Sequence, residues 1–335
     1  MSRRSTAIAL AQRPHGEPCT EDFQFLDLDL PSLSAGEVLV QNEWISVDPY
    51  MRRRMNEGPS YVPAFELGKP MDGGAVGRVL ESADPNIEAG QWVTHNYGWR
   101  DRVVMRAREA RAIDPTSVSP SAFLGVLGMP GLTAWVGLTE IAGLTGEDIV
   151  FVSGAAGAVG SLVGQIAKER GHRVVGSAGS ADKIAWLTEK AGFDVAFNYR
   201  DGDVTTLLRE AAPDGIDVYF DNVGYDHLEA ALAVARNRSR FAMCGTVADY
   251  NETGRVAGPS NMFEIVSKRI SMRGFIATDH FSRFRDFQAE VEPLLSSGTI
   301  IYQETVVDGL ENAPDAFISL LNGKNMGKML VRIES

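Results

Sequence analysis

The chain has 335 residues, 44% of them hydrophobic and 23% charged, with a formal net charge of −12. This is the composition of a folded globular protein, and the length suits two domains of about 100 to 200 residues each. The acidic balance argues against partners that present negative charge, so neither nucleic acid nor an anionic membrane surface is expected.

The opening stretch, MSRRSTAIALAQRP, has no apolar run long enough for a signal peptide, and no window approaches a membrane span. A cytoplasmic protein is the expectation. The two cysteines, Cys19 and Cys244, fit a reducing compartment and are too few for a structural zinc site of several thiolates.

Up to about Pro120 the chain alternates short apolar runs with Gly, Pro, Asn and Asp. EVLVQNEWISV (37–47), GAVGRVLES (74–82), GQWVTHN (90–96) and DRVVMRA (101–107) read as strands of a largely antiparallel domain. Between the first two lies Arg52-Arg53-Arg54, which reads as a solvated helix face, with Arg52 in a surface pair or, as an alternative, on an acidic substrate tail.

From Glu147 the pattern changes. DIVFVSG is a buried strand, a glycine-rich turn follows, and apolar residues at helical spacing run through Leu162, Val163, Ile166 and Ala167. HRVVGSAG supplies a second strand, and Ser180 caps a helix that stops near Gly192. VAFN, a polar helix from about Asp203 and IDVYFDNVG repeat the unit, followed by a helix around 227–235 and the strands RFAMCG and SMRGFIA. This order predicts an α/β fold: a doubly wound parallel Rossmann sheet with right-handed crossovers, spanning 126–304. After a helix over 284–296, IYQETVVDGL and GKMLVRIE return to strand character. The Rossmann unit is thus inserted into a β-rich domain made of 1–125 and 305–335.

The turn Gly154-Ala-Ala-Gly157-Ala-Val-Gly160 follows a strand and opens a helix, the context in which a glycine pattern signals a pyrophosphate cradle. At the end of the next strand an NAD site carries an acid for the ribose hydroxyl, whereas this chain reads VVGSAGSADK. A 2′-phosphate carries about two negative charges near neutral pH, so an NADP pocket must lack that acid and offer a cation or hydroxyls. Ser177 to Ser180 offer hydroxyls and backbone donors, Lys183 a cation one turn later, and Tyr199 a second wall. The alternative makes Asp182 the ribose ligand and Lys183 a solvated helix lysine.

Over nearly its whole length the chain resembles the zinc-independent medium-chain dehydrogenase/reductases, within them the prostaglandin, alkenal/alkenone and curcumin reductases. The matching stretches are VDPYMR (47–52), PMDGGAVGRV (70–79), LGMPGLTAW (127–135), AAGAVGSLVGQIAK (155–168), GFDVAFNY (192–199), YFDNVG (219–224), CGTVADYN (244–251) and NMGKMLVRI (325–333). The resemblance implies that the β-rich domain is GroES-like, that NADPH is the cofactor and that the protein is a homodimer. It implies pyrophosphate binding at Gly157, Ala158, Val159 and Gly160, and 2′-phosphate binding at Lys183 and Tyr199, with Gly179 among the cofactor-binding residues. It also puts Asn222, Cys244, Gly245, Tyr250, Phe275, Ile276, Ala277 and Asn325 around the cofactor, with Thr133 beside the nicotinamide. Where animal prostaglandin reductases carry a tyrosine, Ser267 aligns here, which counts against prostaglandin specificity.

Zinc alcohol dehydrogenases of the wider superfamily hold their metal with cysteine and histidine, but the corresponding stretches here, VDPYMR and LGKPMDGGAVG, have neither. The five histidines, His15, His95, His172, His227 and His280, show no ligand spacing, so no metal is expected. Metal-free reduction of an activated C=C bond needs only a hydride source and donors that stabilise charge on a carbonyl oxygen, each worth about 2 to 4 kcal/mol.

Tyr250 and Tyr50 are the candidate donors to a small hydrophobic carbonyl substrate. Each has a plainer alternative, Tyr250 packing over the cofactor and Tyr50 anchoring its loop beside Pro49. Phe65, Trp44, Met129 and Phe263 are read as core that also hints at an apolar substrate. A quinone reductase using the same cofactor, and a nucleotide-binding relative without turnover, are the alternative functions.

Overall fold

A computed structural model describes residues 3–58, 60–254 and 256–333. Its first part contains β1 (Arg4–Leu10), β2 (Phe23–Asp29), β3 (Glu37–Ser46), the short helix α1 (Met51–Arg54), β4 (Ala75–Ser82), β5 (Trp92–His95), β6 (Arg102–Arg106) and β7 (Arg111–Ile113). β1 and β2 pair with each other as an antiparallel hairpin, which has no counterpart among the runs read from the sequence. The strands β3 to β7 join a seven-stranded sheet.

Helix α2 (Met129–Val136) leads into a regular alternation: β8 (Ile149–Val152), α3 (Ala158–Glu169), β9 (Arg173–Ala178), α4 (Ala181–Glu189), β10 (Val195–Asn198), α5 (Val204–Ala211), β11 (Ile216–Asp221), α6 (Tyr225–Val234), β12 (Ala235–Met243), α7 (Phe263–Lys268) and β13 (Ser271–Gly274). All the pairings among these strands are parallel, in the order β10-β9-β8-β11-β12-β13. The order reverses between β8 and β11, so a crevice opens at their carboxyl ends, the place where such sheets bind ligands. The expected doubly wound sheet is therefore present. Its last strand ends at Gly274, short of the Phe275 to Ala277 included in the sequence reading.

Helices cover both faces of this sheet, so its central strands are buried on both sides; every residue of IVFV in β8 is buried. Phe151 stacks on Tyr219 at 5.1 Å and on Phe197 at 6.0 Å, and burying such a side chain stabilises the fold by about 1.5 to 3 kcal/mol. Asp203 caps α5, its carboxylate accepting from the Thr206 backbone N–H at 2.8 Å. Ser180 occupies the corresponding position before α4, but its side chain makes no capping bond.

After α8 (Phe284–Ser296) the chain returns to the first sheet through β14 (Glu304–Asp308) and β15 (Lys328–Arg332), separated by α9 (Ala313–Leu321). That helix lies where the sequence suggested only strands. Pro314 in its first turn and buried Ala313, Ala316 and Phe317 at helical spacing account for it. β14 pairs with β15 in parallel, and β15 with β3 antiparallel.

The Arg52-Arg53-Arg54 run corrects the expectation of a solvated face. Arg52 and Arg54 are only 2% and 7% exposed, because α1 is wedged between sheet and loops where backbone and side-chain oxygens satisfy the guanidinium donors. Arg52 donates to Gly16 O, Asn56 Oδ1 and Asn251 Oδ1, so it is neither a surface pair nor free to hold a substrate tail. Arg54 pairs with Asp72 and lies 4.0 Å over the Phe65 ring.

Candidate active site

The crevice between the two sheets widens into a cleft of about 1930 Å³. β8 delivers the chain to Gly154, whose φ of 60° only glycine adopts without strain. The turn closes through Gly157 N–H to Gly154 O at 3.1 Å, and α3 begins at Ala158 with its first N–H groups directed at the cleft. A Cβ on Gly160 would stand 2.5 Å from Gly154 O, so only glycine lets the helix start this close to the strand. The turn is also pinned from the other sheet: Gly327 N–H donates to Ala156 O at 2.8 Å, and Asn325 Nδ2 to Gly327 O at 2.8 Å.

At the carboxyl end of β9, Gly179 lies against Tyr199, whose hydroxyl would be 2.7 Å from an added Cβ. Lys183 reaches over the same edge and donates to Gly323 O at 2.8 Å; burial, then the neighbouring Arg200, push its pKa down from the usual lysine range. Arg200, which the sequence reading did not single out, also lines the cleft, its guanidinium 5.8 Å over the Tyr199 ring. Two cations and a phenol around a glycine form a cradle suited to a phosphate.

Ser177 and Ser180 contribute nothing to that cradle. Ser177 is fully buried on β9 and neither hydroxyl lines the cleft, which corrects the expectation of hydroxyl ligands there. Asp182 is exposed and outside the cleft, against its role as a ribose ligand.

On the β11 side, the Asp221 carboxylate is buried and its Oδ1 accepts from Tyr219 Oη at 2.7 Å, Ser153 Oγ at 3.1 Å, and the N–H groups of Val223 and Gly224 at 2.9 and 2.8 Å. Its backbone oxygen accepts from Cys244 and Gly245 N–H at 2.9 and 3.0 Å. One residue thus holds two strand ends, setting Asn222, Cys244 and Gly245 along the cleft. Thr133, Phe275, Ile276 and Ala277 line it as well, so all the predicted cofactor positions converge on one cavity.

Both candidate tyrosines face that cavity. Tyr250 follows the short turn Val247–Asp249, and neither its hydroxyl nor that of Tyr50 has a protein hydrogen bond among the described residues. Burial raises the pKa of both, Tyr250 to about 12, so each stays a protonated donor at neutral pH. Tyr61, unrecognised in the sequence, lines the same region; its negative form would oppose ionisation of Tyr250.

Arg53 bonds both carboxylate oxygens of Asp249, at 2.8 and 2.9 Å, and its guanidinium lies 4.9 Å over the Tyr250 ring, tying α1 to the Tyr250 loop. Behind Tyr50, buried Lys328 reaches Asp48 Oδ1 at 3.2 Å and the carbonyls of Val47 and Met329 at 2.8 and 2.7 Å. This ion pair between neighbouring strand ends of one sheet occupies the VDPYMR corner and had no local signal in the sequence.

Among the described residues no group of three or more His, Cys, Asp or Glu side chains is placed to hold a metal. His95 and His227 are kept neutral by burial, with pKa values pushed down to about 3 and about 4. Phe65 and Met129 line the cleft, but Trp44 does not, and Phe263 is 75% exposed, so it is neither core nor cleft wall. Ser267 is exposed on α7, away from this chain's cleft.

Comparison with known proteins adds to this geometry. Residues 6–113 match a family model described as the N-terminal domain of oxidoreductase, and 158–296 one described as zinc-binding dehydrogenase. The chain is 41% identical to an NADPH-dependent curcumin reductase of Escherichia coli, over 99% of this chain and 97% of the other. It is 42% identical to an NADP(+)-dependent 2-alkenal reductase of Nicotiana tabacum, over 95% of each. A crystal structure of CurA from Vibrio vulnificus in complex with NADPH superposes with a TM-score of 0.93 at 39% identity, covering 98% of this chain and 99% of that one.

Proposed function

Since the chain belongs to the zinc-independent medium-chain dehydrogenase/reductases, in the group of curcumin, alkenal and prostaglandin reductases, we propose that it reduces the C=C bond of α,β-unsaturated ketones and aldehydes with NADPH. The observation that carries this reading is the pair of unbonded tyrosine hydroxyls, Tyr250 and Tyr50, in the cavity that holds the glycine turn and the Lys183–Tyr199–Arg200 cradle.

These residues fit the cofactor: the turn excludes any side chain at Gly160, and the cradle supplies positive charge where a 2′-phosphate needs it. When bound, NADPH supplies a hydride for the β-carbon of the substrate. Charge then gathers on the carbonyl oxygen, and the Tyr250 hydroxyl, fixed by Arg53 above its ring, donates a hydrogen bond to that oxygen, with Tyr50 as the second donor; a proton from solvent at the α-carbon completes the saturated carbonyl. Lys328, bonded to Asp48 and the Val47 carbonyl, braces the chain just before Tyr50. Phe65 and Met129 give the substrate an apolar wall.

The test follows NADPH absorbance with a medium-chain alkenone, using NADH and a simple quinone as parallel controls. Consumption with the alkenone, yielding the saturated ketone, is expected. Turnover of the quinone alone would transfer the assignment to quinone reduction, and no turnover of either would leave a nucleotide-binding protein.

The active form is proposed to be a cytoplasmic homodimer. β13 ends the parallel sheet with one edge unpaired among the described residues, beside α7, where Met262, Phe263 and Val266 are 48%, 75% and 67% exposed. Light scattering should give twice the chain mass of 36.3 kDa, and Phe263→Glu should shift it toward one. A monomeric wild type would end this proposal. Cys19 and Cys244 are free thiols, as suits a reducing compartment, and among the described residues no helix is long and apolar enough to cross a membrane.

A further inference from the structure

The lysines and arginines lining the cleft can be accounted for one by one. Arg54 pairs with Asp72, Lys69 with Glu66, and Lys328 with Asp48, while Lys183 and Arg200 form the phosphate cradle. Arg111 remains. It lines the cleft from β7 and has no ion pair or side-chain hydrogen bond among the described residues. Glu109, two residues away and also on the cleft, is bonded to Tyr97 Oη at 3.0 Å and forms no ion pair with Arg111.

The guanidinium is nevertheless held in place. Its carbon lies 4.1 Å over the ring of Phe284, which is 5% exposed and itself packed edge-on against Phe287. A guanidinium stacked on a ring keeps its in-plane N–H donors free, ready for a planar two-oxygen acceptor. Burial depresses its pKa, the sign of a partly desolvated cation without a counter-charge.

Its packing leads to α2, whose Thr133 is expected beside the nicotinamide. Arg111 is paired with Thr94 of the neighbouring strand β5, and Phe284 opens α8, whose Phe287 ring packs so closely on Gly131 that a Cβ there would meet it at 2.5 Å. Gly131 belongs to α2, the helix that carries Met129 and Thr133 along the cleft.

We propose that Arg111 is an anion subsite of this cleft, taking a carboxylate that the enone substrate carries at a distance from its double bond. The inference rests on the enone reading and narrows its substrate class to acidic, medium-length enones. Phe284, Phe281 and Met129 line the same cleft and offer an apolar wall for the chain of such a substrate.

The experiment compares an alkenone with its analogue ending in a carboxylate, in wild type, Arg111→Gln and Arg111→Lys. Wild type should favour the acid in kcat/KM by about five-fold at low salt, less at high salt; Gln should abolish the preference and Lys keep part of it. Calorimetric titration with a saturated medium-chain carboxylate provides a readout without turnover, and its affinity should fall by a similar factor in Arg111→Gln. Equal use of both substrates by wild type, or a loss in Arg111→Gln that leaves the acid-to-neutral ratio unchanged, would overturn the subsite. If neither substrate is reduced, the enone reading fails, and the titration still decides whether Arg111 binds a carboxylate.

Discussion

Replacing Lys183 by alanine will raise the KM for NADPH by roughly ten- to a hundred-fold and barely change that for NADH, because a charge-assisted bond to a phosphate contributes about 1.5 to 3 kcal/mol and NADH has no 2′-phosphate to lose. The Lys183 ammonium stands at the Tyr199–Gly179 edge, and its bond to Gly323 O keeps it over the cleft. Arg200 lies beside it and will retain part of the selectivity, so the double variant Lys183→Ala/Arg200→Ala should approach equal use of the two cofactors. Equal rises in both KM values would show that Lys183 supports the fold of this edge rather than reading the phosphate.

Tyr250→Phe is expected to lower kcat with an enone by at least about ten-fold while changing the KM for NADPH little, since the lost hydroxyl acts on charge that develops only in the transition state. The ring, which packs under Arg53, is retained. The pH profile separates this role from simple packing. Burial raises the Tyr250 pKa to about 12 and Arg53 opposes that rise, so the hydroxyl remains protonated and gives no alkaline limb until the pH approaches that value. Arg53→Met removes the opposing charge and moves any such limb higher still. Unchanged kcat in Tyr250→Phe would leave the carbonyl oxygen to Tyr50 alone.

The two expectations draw on different parts of the molecule. Lys183 and Tyr199 follow consecutive strands of one sheet, and each stands at a point the β-α alternation predicts. Tyr250 is in a comparable position, six residues past Cys244 at the end of β12. Its environment is another matter, since Arg53 comes from a helix nearly 200 residues away.

What the sequence by itself determined is the strand and helix alternation of the parallel-sheet unit and the glycine turn and absent acid at its cofactor edge. Continuous apolar runs such as IVFV mark strands buried on both faces, Gly154, Gly157 and Gly160 mark a turn under steric constraint, and a missing acid after β9 marks room for a phosphate. These signals are local, because period, turn geometry and side-chain size act within a few residues.

Only the tertiary structure decided which charges are buried and which remain free. Three adjacent arginines share one short helix, yet Arg52 and Arg53 bind Asn251 and Asp249 of one distant loop, while Arg54 binds Asp72 of another segment. Lys328 and Asp48 meet across 280 residues of chain, and Ser177 turns inward where its composition suggested a ligand. The physical reason is that a charged side chain is held by whatever oxygen the packing brings within about 3 Å, and strand pairing and inter-sheet contact set that distance, not sequence spacing.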